Sequence, residues 1–101
     1  MESAQEKLLA TLNKLGTTAS EVAHALHSSE IRGFRNSCWS CPIAEYLKSC
    51  RYSSVSVAIE DCSAITPDHI STYVVTPTAI KDFMLAFDSG LYSHLVLGLR
   101  F

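Results

Sequence analysis

The chain has 101 residues, 48% of them hydrophobic and 18% charged, and a net charge of −2. That length holds one hydrophobic core, and the slight acidity counts against a general polyanion binder, whose affinity comes from an excess of Lys and Arg. No apolar run approaches the length of about 20 residues that a membrane span needs, and the opening MESAQEKLLATL lacks the form of a secretory signal, so a cytoplasmic protein is expected.

The charged share lies below the roughly 25% of an ordinary globular chain, so part of the apolar surplus is expected to face a partner. Charge is also unevenly placed. Residues 1–30 and 53–101 are acidic, whereas residues 31–52 carry Arg32, Arg35, Lys48 and Arg51 against Glu45 alone. The four cysteines are expected to be reduced thiols or metal ligands, because disulfides belong to an oxidising compartment.

Leu8, Leu9, Leu12 and Leu15 recur at helical spacing before Gly16, which predicts a first helix. Thr18 and Glu21 have the spacing of a capping box, and Val22, Ala25 and Leu26 supply the stripe of a second helix ending near Ser28. Residues 30–40 lack periodicity and read as a loop carrying Arg32, Phe34, Arg35 and Trp39. Pro42 suits the first position of a third helix, whose inward face is Ile43, Leu47 and Cys50.

Val55, Val57 and Ile59 alternate with small residues as a half-buried strand does, and Ile70, Thr72 and Val74 repeat the pattern after a turn at Thr66, Pro67 and Asp68. The pair reads as a β-hairpin with a longish loop. Thr76 and Pro77 then precede Ile80, Phe83, Met84 and Phe87, one apolar face of a fourth helix that Gly90 stops. Leu95, Leu97, Leu99 and Phe101 alternate as a short C-terminal strand that completes the sheet or pairs with a second copy in a homodimer. The expected fold class is α+β in one domain spanning residues 1–101.

The order helix, helix, helix, strand, strand, helix resembles a winged-helix module over residues 5–76. The resemblance implies a DNA-binding regulator in which the third helix enters the major groove and the hairpin forms a wing. The third helix offers Glu45, Tyr46, Lys48 and Ser49 to such a groove.

Cys38 and Cys41 form a C-x-x-C at the start of the third helix, where free amides and the helix dipole favour a thiolate. The motif supports a thiol-redox reading or, with His24 and His27 on the second helix, a structural zinc site. The segment 31–52 supports a different reading. Arg32, Phe34, Arg35, Trp39, Tyr46, Lys48 and Arg51 are the aromatic and cationic mixture found at binding hot spots.

No nucleophile elbow, H-E-x-x-H helix or phosphate loop is present, although Asp61, Asp68 and His69 flank the hairpin loop. The leading expectation is therefore a small non-enzymatic interaction or regulatory protein. It would bind an acidic protein partner or an anionic ligand through residues 31–52, with winged-helix DNA binding and a C-x-x-C site as alternatives.

Overall fold

The computed structural model describes residues 3–96. Its elements are α1 (Ala4–Asn13), α2 (Ala19–Ser28), α3 (Pro42–Ser49), β1 (Ser53–Val57), β2 (Asp61–Ile65), β3 (Ser71–Val75), α4 (Thr78–Asp88) and a 3₁₀ turn, η1 (Ser93–Leu95). The class is α+β: four helices and an antiparallel sheet in the order β1-β2-β3.

The expected hairpin is a three-stranded meander. The middle strand hides in the sequence because its inward positions are Cys62 and Ala64, small side chains that give a faint apolar alternation. Ile59 falls in the tight β1–β2 turn, where the Ala58 amide donates to the Asp61 carbonyl. Ile70 closes the β2–β3 turn, where its carbonyl accepts from the Thr66 amide, and it is exposed rather than inward.

Val55, Val57, Cys62, Ala64, Thr72 and Val74 make the buried face of the sheet. Against it α1 lies along β3 and α3 along β1, while α2 packs on α4. Leu8, Leu12, Leu26, Ile43, Leu47, Phe83 and Phe87 fill the space between them, each almost fully buried. Full burial of one such side chain is worth about 1.5–3 kcal/mol. The outer face is built mainly of Ser56, Ser63, Ser71, Tyr73 and Val75.

Each edge of the sheet carries one contact from outside it. The Gln5 amide group donates to the Tyr73 carbonyl at 3.0 Å on the β3 side, and the Val57 amide donates to the Cys38 carbonyl at 2.8 Å on the β1 side.

Local capping explains where the helices begin and end. The full capping box stands at Ser3 and Glu6; at α2 the Thr18 hydroxyl caps Glu21 as expected, but the Glu21 carboxylate turns to the amide and hydroxyl of Thr17. Thr76 does not cap α4, because its hydroxyl donates to the Ala58 carbonyl.

Three helices stop in the same way. Ile31, Tyr52 and Leu91 each donate an amide six-to-one across the last turn, to Leu26, Leu47 and Ala86, and the preceding residue donates to His27, Lys48 and Phe87 in turn. This Schellman closure needs a left-handed residue, supplied by Glu30, Arg51 and Gly90 with φ of 58°, 73° and 112°. Only the third is glycine, so the first two ends escape a reading that looks for Gly.

The tail turns back after α4. Leu95 is buried, its carbonyl accepts the Gly33 amide at 2.9 Å, and Val96 forms a single parallel bridge with Gly33. Leu95 belongs to a 3₁₀ turn and not to a strand, and the remainder of the expected strand, residues 97–101, lies outside the described residues.

Two substitutions test these constraints. A Cβ on Gly33 would stand 2.4 Å from the Cys41 carbonyl carbon and the Pro42 nitrogen, both backbone atoms. Gly33→Ala should therefore cost about 3 kcal/mol and lower the thermal midpoint by roughly 10 °C or more. Glu30→Gly should act oppositely, adding up to about 1 kcal/mol by relieving the left-handed strain, as a raised denaturant midpoint would show.

Candidate functional site

Residues 33–41 form a loop tied down along its length. The Phe34 amide donates to the Ser40 carbonyl at 2.7 Å and closes the neck, while the Ser40 amide donates to the Ser37 hydroxyl at 3.0 Å within it. Asn36, left-handed at φ 57°, donates its amide to Oδ1 of Asp88 at 2.9 Å. Cys38 holds β1 as described above.

Arg35 is the main anchor. Its Nε donates to the Phe87 carbonyl at 2.7 Å and its Nη2 to the Leu91 carbonyl at 3.2 Å, with the guanidinium 5.1 Å from the centre of the Phe87 ring. The C-terminus of α4 carries a partial negative charge, and the cation adds a second donor to the Phe87 carbonyl that already accepts the Gly90 amide. The sequence reading places Arg35 on the partner surface; two of its donors serve the fold instead.

Tyr46 is likewise engaged internally. Its hydroxyl donates to the Thr11 carbonyl at 3.0 Å, joining α3 to α1, and burial with Cys50 beside it pushes the phenol up to about 12. Lys48 pairs with Glu45 at 3.0 Å one turn away. The Ser49 hydroxyl donates to the Tyr46 carbonyl at 2.6 Å, so all four side chains that α3 offers to a DNA groove are engaged within the protein.

Phe34, Trp39, Arg32 and Arg51 remain at the surface. Trp39 is 69% exposed and Phe34 46% exposed, on a backbone that has little freedom to move. Arg32 makes no ion pair among the described residues. It stands between two hollows of about 340 Å³ each, one lined by His27, Glu30, Ile31 and Leu95 and the other by Glu30, Ile31, Glu45 and Ser49. Arg51 lies apart, beyond the C-terminal end of α3. The four residues therefore form two exposed aromatics near the neck of the loop and separate cationic points, not one basic patch.

A third cavity, about 280 Å³, opens beside the loop between α4 and the β1–β2 turn. Val57, Ala58, Ile59 and Met84 make its apolar wall, with Asn36, Ser37, Cys38 and Asp88 at the rim. Sequence reasoning misses Asp88 and Met84 here, since both sit in an ordinary helical pattern and only the fold brings them to the loop.

The two motif cysteines have different environments. Cys41 is buried and its Sγ accepts the Ala44 amide at 3.4 Å as the N-cap of α3, whereas Cys38 is exposed. The helix N-terminus favours a thiolate, but desolvation is stronger, and the Cys41 thiol is pushed from its ordinary 9.0 to about 11. All four cysteines are free thiols.

His27 turns its ring edge-on to His94 at 5.0 Å, and among the described residues no three His, Cys, Asp or Glu side chains converge as a metal ion requires. The zinc candidates Cys38, Cys41, His24 and His27 are not brought together as one set. Asp61 stands at the opposite end of β2 from Asp68 and His69, and Asp68 pairs with Lys7 at 3.0 Å, so those three do not assemble into a site either. Comparison with known protein families, curated proteins and solved structures yields no match.

Burial of thiols sets a pH dependence. Burial raises the Cys41 and Cys62 thiols, so the folded chain holds protons that the unfolded chain releases from about pH 9 upward. Stability should be full below that pH and fall as pH rises toward 11. Urea midpoints at about pH 8 and about pH 10.5 will measure the fall, and Cys41→Ala should flatten it. In the native protein an alkylating reagent should modify Cys38 and spare Cys41 and Cys62 until denaturant is added.

Proposed function

We propose that this chain is a small non-enzymatic interaction protein that captures a protein partner with the exposed aromatics of the loop 33–41. Trp39 and Phe34 are the anchors, and Arg32 reads an acidic group on the partner. The observation that carries the reading is the 69% exposure of Trp39 on a loop whose backbone is fixed by Arg35, Asp88 and β1.

Water around an exposed indole is released on docking, and a loop that is already ordered loses little conformational entropy when it binds. Rigid aromatic anchors of this kind dominate the energetics of interfaces. Charge has a lesser part than the composition of residues 31–52 implies. Arg35 is held by α4, Lys48 is paired with Glu45, and Glu30 shares both hollows with Arg32. The partner is accordingly expected to offer an apolar pocket or patch with one or two acidic groups, not a uniformly acidic face.

The test compares two substitutions that a surface role and a structural role would sort in opposite ways. Trp39→Ala should leave the circular dichroism and thermal midpoint close to wild type while weakening partner capture at least about 30-fold, a hot-spot effect of about 2 kcal/mol. Arg35→Met should lower stability by about 1.5–3 kcal/mol, because it removes charge-assisted hydrogen bonds from the end of α4. Capture that is unchanged in Trp39→Ala, measured by pull-down with both proteins at equal concentration, would end the reading.

A further inference from the structure

The cavity beside the loop has the chemistry of an indole site. Its wall of Val57, Ile59 and Met84 suits a flat apolar ring, and a thioether makes favourable contacts with aromatic edges. At its rim, Asp88 receives the Asn36 amide on Oδ1, and Oδ2 has no partner among the described residues. A buried indole needs an acceptor for its N–H, and a carboxylate oxygen at the mouth of an apolar hollow is one. Among the described residues no side chain fills this space.

The same surface carries the matching projection. Trp39, the only tryptophan in the sequence, follows directly on Cys38 of the cavity rim and is 69% exposed. Leu91, 59% exposed, adjoins the loop through the bond from Arg35 to its carbonyl, and Phe34 is exposed at the neck. A two-fold dimer requires a surface that is complementary to itself, so that residue i of one copy meets residue j of the other and the reverse. A protruding indole next to an unfilled indole-compatible cavity meets that requirement on one face.

We infer that the partner of the Trp39 loop is a second copy of this chain, each Trp39 entering the other's cavity with its N–H on Asp88. This rests on the reading of the loop as an interaction surface and adds the identity of the occupant. It places self-association at the loop rather than at the C-terminal segment. Two indoles are buried at once, with the leucine and phenylalanine at the margin excluding water from the paired sites, as the surroundings of hot spots do.

The experiment is sedimentation velocity on the reduced full chain between about 1 and about 100 µM, a range that brackets a dimer held by two anchors. Wild type should pass from monomer to dimer, and the Trp39 emission should shift to the blue over the same concentrations. Trp39→Ala removes the projection, Ala58→Leu fills the cavity, and each alone should remain monomeric with an unchanged circular dichroism spectrum. Mixed in equal amounts they should associate beyond either alone, since the indole of the Ala58→Leu chain finds the open cavity of the Trp39→Ala chain. A wild type that stays monomeric throughout overturns the proposal. If partner capture then still depends on Trp39, a different protein is the occupant and the interaction reading survives. Dimerisation that Trp39→Ala or Ala58→Leu leaves intact overturns the reciprocal insertion as well.

Discussion

The close approach of Gly33 to the backbone of residues 40–42 is the constraint on which the functional surface depends. With no Cβ at residue 33, the chain entering the loop passes within contact distance of the chain leaving it, and Phe34 can reach the Ser40 carbonyl. The Gly33 amide is then directed at Leu95, so the same glycine also receives the tail that returns from α4. A side chain at this position would push apart the two limbs of the loop and so disturb the bond that holds the tail. The cost is not local strain alone, because the Arg35 fork, the Asn36 contact with Asp88 and the Cys38 contact with β1 all require the loop to leave the neck in one direction.

Arg35 and Asp88 divide the work of fixing that direction. The guanidinium meets the carbonyl end of α4, where a cation is stabilised by charge-assisted hydrogen bonds and by the helix dipole, and the aspartate of the last helical turn reaches back to the loop amide. The interaction is reciprocal: the loop caps the helix and the helix orders the loop. Since α4 is also built into the core through Phe83 and Phe87, the position of Trp39 is referred to the most buried part of the molecule. A loop held in this way behaves as part of the scaffold, which is the property a binding surface needs for high affinity per unit of area.

Legibility of the sequence followed the size of the side chains. α1, α2, α3 and α4 were readable because Leu8, Leu12, Val22, Leu26, Leu47, Ile80 and Phe83 are large and recur at helical spacing, and β1 because Val55 and Val57 are β-branched. β2 was not, because Cys62 and Ala64 are inward but small, and Ile65 is the lone large residue of the strand. The site was half readable. Residues 31–52 stand out by their aromatic and arginine content, yet sequence cannot tell an arginine that faces solvent from one that caps a helix 52 residues away, and Arg35 is the latter. Nor can it weigh burial against the helix dipole at Cys41, where the two effects oppose and burial is the larger.

For the proposed interaction, the balance of charge around Arg32 favours selectivity over added affinity. Glu30 and Glu45 stand beside the cation without pairing to it, and Glu30 occupies a left-handed position where glycine would be less strained. A carboxylate near an unpaired guanidinium weakens attraction to anions in general and penalises any partner that brings acidic groups to the wrong side of the groove. Such repulsive elements separate partners as effectively as attractive ones. The exposed aromatics, in contrast, discriminate by shape alone. Under the proposed function, affinity would rest with Trp39 and Phe34 and the choice among similar apolar surfaces with Glu30, Arg32 and Glu45, so that weakening the charged groove would relax specificity before it cost binding.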